Sequence, residues 1–201
     1  MTHSTRTTLL TPDRLHGWIA RFADAHDGLA ATADTDGGLL LTMRDGSSAL
    51  LSPPWPDDGR PGRGTDLVER LVSLASQERR MALVLVRRGG YAVGVAAGGS
   101  LLAHKAGTTS ARSRGGDPGV AVAGRAAQEA ARILSGQSFE YLATGGDKPL
   151  VEAVLAAPAL RAVAKRPRLA ALPVADPTSA VLHKAAADFC AIRIRISDTS
   201  G

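Results

Sequence analysis

The chain opens with apolar residues at helical spacing and continues with short runs that alternate apolar and polar positions. The sequence predicts a helix from Thr11, with Pro12 at its first position, to about Ala25. The apolar face of this helix is formed by Leu15, Trp18, Ile19 and Phe22. Three short β runs separated by Asp-Gly turns follow at residues 29–33, 39–43 and 48–52. The pattern indicates an N-terminal helix and a β-meander.

A second series of elements begins after residues 53–64, which are rich in proline and glycine. Thr65 is the predicted cap of a helix, and three strand-like runs then extend to Lys105. Beyond a glycine-rich loop, helices are predicted at 120–134, 149–163 and 178–189, and strands at 141–144, 169–174 and 191–196. Three consecutive antiparallel strands followed by strand–helix alternation predict an α/β (mixed α+β) fold. We expect a ribonuclease-H-like mixed sheet with flanking helices.

These elements predict a small and a large domain joined by a linker. The expected division is a disordered lead at 1–10, the N-terminal helix and meander at 11–52, a linker at 53–64, the ribonuclease-H-like domain at 65–196 and a tail at 197–201. A chain of this length can bury a substantial core.

The composition limits the kinds of partner and site. The chain has 201 residues, a formal net charge of +5 and a pI near 10.0, which favours a phosphate-bearing partner, although a plain basic surface explains the same charge. Cys190 is the single cysteine, so neither an intrachain disulfide nor a cysteine-based metal site can form. The sequence has no long apolar run and no apolar leader. We therefore expect a cytoplasmic protein with no membrane contact.

Standard nucleotide and metal motifs are missing from the chain. Lys105 is followed by alanine rather than by the Ser or Thr that a P-loop requires, and the glycines near residue 90 do not have the Rossmann spacing. The five histidines are scattered without a metal-ligand spacing, and no glycine–serine elbow of a hydrolase is present. We therefore expect neither a metal nor a cofactor.

A basic, glycine-rich loop at residues 107–119 is the strongest candidate for a binding site. It contains no aliphatic residue larger than alanine, so the sequence predicts an exposed loop. Arginine side chains and free backbone N–H groups can both bind phosphate. The candidate RNA-binding residues are Lys105, Thr108, Arg112, Arg114 and Arg125. The alternative is a solvated loop whose charges only maintain solubility.

The same part of the chain resembles a known family. The resemblance lies in the run VRRGGYAVGVAAGGSLLAHKAGTTSARSRGG, at residues 86–116, and extends to residues 12–18, 144–148 and 154–160. It therefore covers most of the chain between about residues 10 and 196. The chain is similar to the actinobacterial release-factor-like peptidyl-tRNA hydrolases, which are bacterial relatives of the catalytic domain of eukaryotic translation termination factors.

The resemblance implies a ribonuclease-H-like domain that enters the peptidyl-transferase region of a stalled large ribosomal subunit and releases the nascent chain from tRNA. The implied catalytic segment is Gly115, Gly116 and Asp117, since a glycine-rich backbone can approach the ester closely. Family members have a glutamine just after the glycine pair, whereas the first glutamine downstream here is Gln128. The sequence is thus expected to be a divergent member that lacks the family glutamine.

Asp117 has two interpretations. Its carboxylate could act as a general base for the attacking water, but Asp-Pro-Gly is first a turn signature, and the turn is favoured. Gly145-Gly146-Asp147 is likewise expected to be a strand-to-helix turn with Asp147 as N-cap, although such a helix N-terminus can accept phosphate. A second basic cluster is expected to be a solvated helix end or an RNA contact; it comprises Arg161, Lys165, Arg166 and Arg168.

The expected partners are peptidyl-tRNA and the large ribosomal subunit, with no DNA, and the protein is expected to be a monomer. Two alternatives remain open from the sequence. One is a catalytically degenerate paralogue that binds tRNA or the ribosome without hydrolysis. The other is a basic globular protein with no role on RNA.

Overall fold

Two separate β-sheets, each with its own helices, make up the chain. The computed structural model describes residues 3–108 and 117–199. The first unit comprises Met1–Gln77 and Cys190–Gly201, and the second comprises Glu78–Phe189. The predicted mixed α+β class is confirmed.

The first unit is an antiparallel sheet with helices packed on one side. Its elements, numbered along the whole chain, are β1 (His3–Leu10), α1 (Leu15–Ala25), β2 (Leu29–Thr35), β3 (Gly38–Met43), β4 (Ser48–Ser52), α2 (Leu67–Ala75) and β9 (Ile192–Thr199). The strand order is β1-β9-β4-β3-β2. The buried cluster between sheet and helices includes Leu15, Phe22, Leu71, Leu41, Leu51 and Ile194. The predicted N-terminal helix and meander are both present.

Three details of the first unit differ from the sequence prediction. The expected disordered lead forms β1, because its eight residues pair with β9 and so gain backbone partners from the far end of the chain. The expected tail is shorter, since β9 runs to Thr199. The cap of α2 is Asp66 rather than Thr65: the Asp66 carboxylate accepts the backbone N–H of Glu69 at 2.8 Å.

The second unit contains the mixed sheet. Its elements are β5 (Arg80–Arg87), β6 (Gly90–Ala97), β7 (Ser100–Thr108), α3 (Pro118–Leu134), β8 (Tyr141–Gly146), α4 (Lys148–Leu155), α5 (Arg161–Ala164) and α6 (Ser179–Phe189). The strand order is β7-β6-β5-β8, in which β5, β6 and β7 are antiparallel and β8 is parallel to β5. The three consecutive antiparallel strands and the mixed character of the sheet agree with the prediction.

Three elements of the second unit differ from the prediction. The helix expected at 149–163 is broken after Leu155, because Pro158 lacks a backbone N–H and its ring excludes a continuous helix. The strand expected at 169–174 pairs with β8 only through isolated parallel bridges at Arg168 and Leu172. The strand expected at 191–196 exists as β9, but it pairs with β1 and β4 in the first unit. The units therefore divide after Gln77 and Phe189 rather than within 53–64.

Helix α3 lies against one face of the mixed sheet, and its contacts identify the strand residues whose side chains are on that face. Val84, Val93 and Val95 are fully buried in a cluster with Val122 and Ala126 of α3. In an antiparallel sheet, directly opposed residues project from the same face, so this cluster defines the α3 side of every strand. A Cβ built at Gly94 would point to the opposite face, where Leu182 of α6 lies.

Candidate functional site

The predicted basic loop lies between the end of β7 and the start of α3. β7 is at the edge of the mixed sheet, where it pairs with β6. The strand ends at Thr108, and α3 begins at Pro118 after Asp117. Arg112, Arg114, Gly115 and Gly116 lie outside the residues that the structure describes. The described part of the candidate site is therefore formed by the two ends of the loop.

Lys105 and Thr108 project from opposite faces of β7. Lys105 is opposite Val93, which is buried under α3, so its exposed side chain lies on the α3 side. Thr108 is three positions further along the strand and opposite Gly90, on the other side. The structure thus does not place these two predicted phosphate ligands on one surface.

Arg125 joins Lys105 on the α3 side. It is exposed about two turns after the start of α3, and its positive charge acts on the hydroxyl of Tyr91. Burial raises the pKa of Tyr91 and the charge of Glu129 raises it further, while Arg125 and Arg132 oppose this effect. Tyr91 is opposite Gly107, so the tyrosine and Arg125 both lie near the end of the strand that leads into the loop.

Asp117 caps α3. Its Oδ1 accepts the backbone N–H of Gly119 at 2.8 Å, and Pro118 occupies the first turn of the helix. The Asp-Pro-Gly signature therefore starts a helix two residues before the predicted position of Val120. The favoured turn interpretation is realised as a helix cap, and a role for Asp117 in catalysis stays a prediction.

Replacing Asp117 tests the cap directly. We expect Asp117→Ala to reduce the free energy of unfolding by about 0.5–2 kcal/mol, because alanine offers no acceptor to the Gly119 N–H. Asp117→Asn retains an acceptor and is expected to be nearly as stable as the wild type. Urea denaturation followed by circular dichroism measures both. Equal losses in the two variants would contradict the cap.

The second glycine-rich segment lies at the end of β8. Gly145 and Gly146 are the last residues of that strand, and Asp147 precedes α4 as expected, but its side chain makes no capping hydrogen bond. The Asp147 N–H instead donates to the carbonyl oxygen of Val86 at 2.8 Å. Its carboxylate lies 3.9 Å from the Arg87 guanidinium. A negative charge beside this helix N-terminus disfavours a bound phosphate there.

The predicted cluster of basic residues near α5 is partly engaged within the chain. Arg168 donates two hydrogen bonds to Glu152, at 2.5 and 3.1 Å, and these lower the pKa of the Glu152 carboxyl. The guanidinium of Arg166 lies 5.7 Å from the centre of the Phe139 ring. Arg161 and Lys165 are exposed. Two of the four predicted cations thus have intramolecular partners.

The structure also brings together residues that the sequence left scattered. The rings of His104 and His183 are 5.2 Å apart, and Ser179 Oγ is 3.2 Å from His104 Nε2, although serine and histidine are 75 positions apart in the chain. The sequence alone could not reveal this cluster, because it forms where α6 packs against the face of β7 that carries His104. Across 3–108 and 117–199, no three His, Cys, Asp or Glu side chains are grouped as a metal site would require.

A cleft of about 770 Å³ in the first unit was likewise not predicted. Trp55 forms part of its wall, with Asp34, Asp57, Arg60 and Arg70 around it. Acids and arginines are both present, so the cleft has no single sign of charge that would select a phosphate. Among the described helices, none has the length and apolar character needed to cross a membrane.

Comparison with known proteins gives a family match and a structural neighbour for this chain. No curated protein sequence matches the chain. The crystal structure of Pelota from Archaeoglobus fulgidus aligns with 90% of this chain and 60% of that one, at 13% sequence identity and a TM-score of 0.33. Residues 111–195 match the model of the Actinobacteria/chloroflexi VLRF1 release factor family. This match agrees with the resemblance found in the sequence, and it supports a release-factor-like family for the chain.

Proposed function

We propose that this protein hydrolyses the ester bond of peptidyl-tRNA in the rescue of stalled ribosomes. A role in ribosome-associated translation termination or rescue is what the family match suggests, and that match carries the proposal. It begins at residue 111, within the basic loop, runs through α3 and the rest of the second unit, and ends at residue 195 in β9. The proposed catalytic segment and Arg112, Arg114 and Arg125 lie within this match, whereas Lys105 and Thr108 precede it.

The proposed reaction needs an attacking water and donors for a developing negative charge. The water oxygen forms a bond to the ester carbonyl carbon, the bond to the tRNA 3′ oxygen breaks, and that oxygen takes up a proton. In this proposal the backbone N–H groups of Gly115 and Gly116 donate to the tetrahedral oxyanion. Lys105, Arg112, Arg114 and Arg125 bind phosphates of the tRNA, with Thr108 as a further contact.

The proposed setting is the large ribosomal subunit of a stalled complex in the cytoplasm, with the protein acting as a monomer and without a DNA partner. The loop is proposed to bring its basic residues to the acceptor end of the tRNA, where phosphate contacts set the position of the ester. Such positioning converts a bimolecular attack into one with a high effective concentration of water at the carbonyl.

A second candidate function is binding of tRNA or the ribosome without hydrolysis. Asp117 favours this alternative because its carboxylate already accepts the Gly119 N–H as the cap of α3, so one of its oxygens is engaged within the helix. The first downstream glutamine, Gln128, is exposed on α3 about three turns after Asp117. Neither side chain is held in a position that identifies it as the group that activates water.

A release assay separates the two candidates. Stalled ribosome–nascent-chain complexes are incubated with stoichiometric protein, and peptidyl-tRNA is followed on a gel beside a competent family member. We expect conversion to free tRNA and peptide. Conversion that occurs only with the family member, while this protein co-sediments with the ribosomes, would establish the binder and overturn the enzyme.

Asp117→Asn then tests the general-base hypothesis in the same assay. The variant keeps the helix cap but cannot accept a proton at neutral pH, so loss of release at unchanged stability would identify Asp117 as the base. Full release would assign activation of water to another group in the loop or in the RNA. Gln128→Ala is the matched control, since it removes an exposed polar group from the same helix.

A further inference from the structure

The sheet of the first unit has one face that none of the described helices of that unit covers, and its charge differs from that of the other face. Ile192 and Ile194 of β9 are fully buried and Ile196 is 4% exposed on the side of α1 and α2. Because strand residues alternate between faces, Arg193 and Arg195 project to the opposite side. We name this side the open face; it carries Arg193, Arg195, Thr5, Thr7, Ser48 and Leu50.

The two arginines lie on β9, between β1 and β4, and both of these strands carry threonine or serine side chains on the open face. Arg195 is opposite Thr7 of β1 and Leu50 of β4, and the next outward position, Ser197, is opposite Thr5 and Ser48. Thr5, Thr7 and Arg195 are exposed, whereas Arg193, Leu50 and Ser48 are half-buried. The open face therefore combines two guanidinium groups with several hydroxyl groups, and the half-buried Leu50 adds an apolar contact surface.

Acidic side chains are segregated from this face. The strands of the sheet carry two acids, and both are on the helix side: Asp34 is opposite the buried Leu39, and Asp198 follows Ile196 by two positions. Asp198 lies near His26 and Arg6, at 3.9 and 3.8 Å. Among the described residues, neither Arg193 nor Arg195 forms an ion pair or hydrogen bond through its side chain, so their charges remain available to a ligand.

We propose that the open face binds the sugar–phosphate backbone of RNA. Alternate residues of a strand are about 6.6 Å apart, so Arg193 and Arg195 present two cations in a fixed row. Arginine forks bind phosphate oxygens in a bidentate manner, and Thr and Ser hydroxyls are common donors to phosphate and sugar. Arginine planes can also stack on bases. An acidic peptide would use the arginines but gains little from the row of hydroxyls.

The choice of RNA among polyanions rests on the proposed function, because a protein acting on a ribosome meets RNA over most of its surface. The open face belongs to the first unit and the catalytic segment to the second, so this contact is distinct from the basic loop. It supplies affinity and orientation on the RNA and takes no part in the proposed hydrolysis.

The test is binding of a fluorescein-labelled single-stranded RNA of mixed sequence, followed by anisotropy over a series of salt concentrations. We expect Arg193→Gln with Arg195→Gln to weaken binding and to reduce the slope of log K against log salt by about 1.4, which is the loss of two phosphate contacts to single-stranded RNA. Arg14→Gln with Arg21→Gln is the matched control, because it removes the same charge from two exposed residues outside the open face: Arg14 directly precedes α1, and Arg21 lies within that helix. Circular dichroism checks that both double variants are folded.

The possible outcomes separate this inference from the proposed function. An unchanged slope in the Arg193/Arg195 variant, or an equal loss in the control, would overturn the open face as an RNA contact. Selective loss of binding to a poly-glutamate peptide, with RNA binding intact, would overturn it in favour of an acidic protein partner. The two proposals can also fail separately. If the Arg193/Arg195 variant alone loses RNA binding and the wild-type protein releases no peptide in the ribosome assay, the open face is supported and the proposed hydrolysis is overturned.

Discussion

Gly146→Ala is expected to destabilise the second unit by about 3 kcal/mol or more, one of the largest effects in the chain. Gly146 has a φ of +97°, where an L side chain is strained. A Cβ built there would lie 2.1 Å from the carbonyl oxygen of Val86 and 2.9 Å from its carbonyl carbon. Val86 is fully buried in β5, and its oxygen also accepts the Asp147 N–H. Relief of the clash would therefore require separation of β5 from β8.

Two other glycines of the same unit provide controls that separate strain from collision. Gly136, after α3, has a φ of +72° but nothing within 4 Å of a built Cβ, so Gly136→Ala should cost about 1 kcal/mol from backbone strain alone. Gly89 has neither a positive φ nor a neighbour within 4 Å, and Gly89→Ala should be close to neutral.

Urea denaturation followed by far-ultraviolet circular dichroism measures these differences. Trp18 and Trp55 both belong to the first unit, so their fluorescence reports the unfolding of that unit separately. We expect the three variants to rank Gly146, Gly136 and Gly89 in order of decreasing loss. A Gly146→Ala protein no less stable than Gly136→Ala would show that the approach of Gly146 to Val86 is not tight in solution.

Gly107→Ala is expected to destabilise the second unit by about 2 kcal/mol, because it overpacks the end of β7. A Cβ at Gly107 would lie 2.6 Å from the Tyr91 hydroxyl oxygen and 2.7 Å from the ring carbon that bears it. The ring cannot turn aside easily, since Tyr91 is 6% exposed and belongs to the buried cluster under α3. The added methyl group would therefore displace either the ring or the strand that leads into the basic loop.

A double-mutant cycle with Tyr91→Leu tests this contact. Tyr91→Leu alone should be destabilising through lost packing, but it removes the ring that opposes the new methyl group. In that background Gly107→Ala should cost at least about 1 kcal/mol less than in the wild type. Unfolding free energies of the four proteins give the coupling, and strictly additive losses would refute a direct clash between Tyr91 and residue 107.

Local pattern was sufficient to predict most elements of the fold. Helical spacing in α1 and α2, alternation in β3 and β4, and glycine-bounded apolar runs in β5 and β6 each carry their own signal. β1 could not be predicted in this way, because the threonine-rich run at its start is stabilised by pairing with β9, almost two hundred positions away in sequence. The apolar and polar pattern within one segment does not show that the segment pairs with a strand far away in the sequence.

The candidate site was less predictable than the fold. The helix cap at Asp117 follows from the Asp-Pro-Gly sequence, and the exposed positions of Lys105 and Arg125 follow from their charge. The placement of Lys105 and Thr108 on opposite faces needed the register of β7 against β6. The charge difference between the two faces of the first sheet needed the order of strands, because Asp34 and Arg195 come from opposite ends of the chain.

The pairing of β9 with β1 and β4 also determines the order in which the units can be completed during synthesis. The second unit is formed by a continuous segment, Glu78–Phe189, which leaves the ribosome before β9 does. β1 pairs with β9, so this strand has no partner in its sheet until Ile192–Thr199 has been made. The nascent polypeptide can therefore finish its inserted domain first, while the domain that surrounds the insertion in sequence closes last.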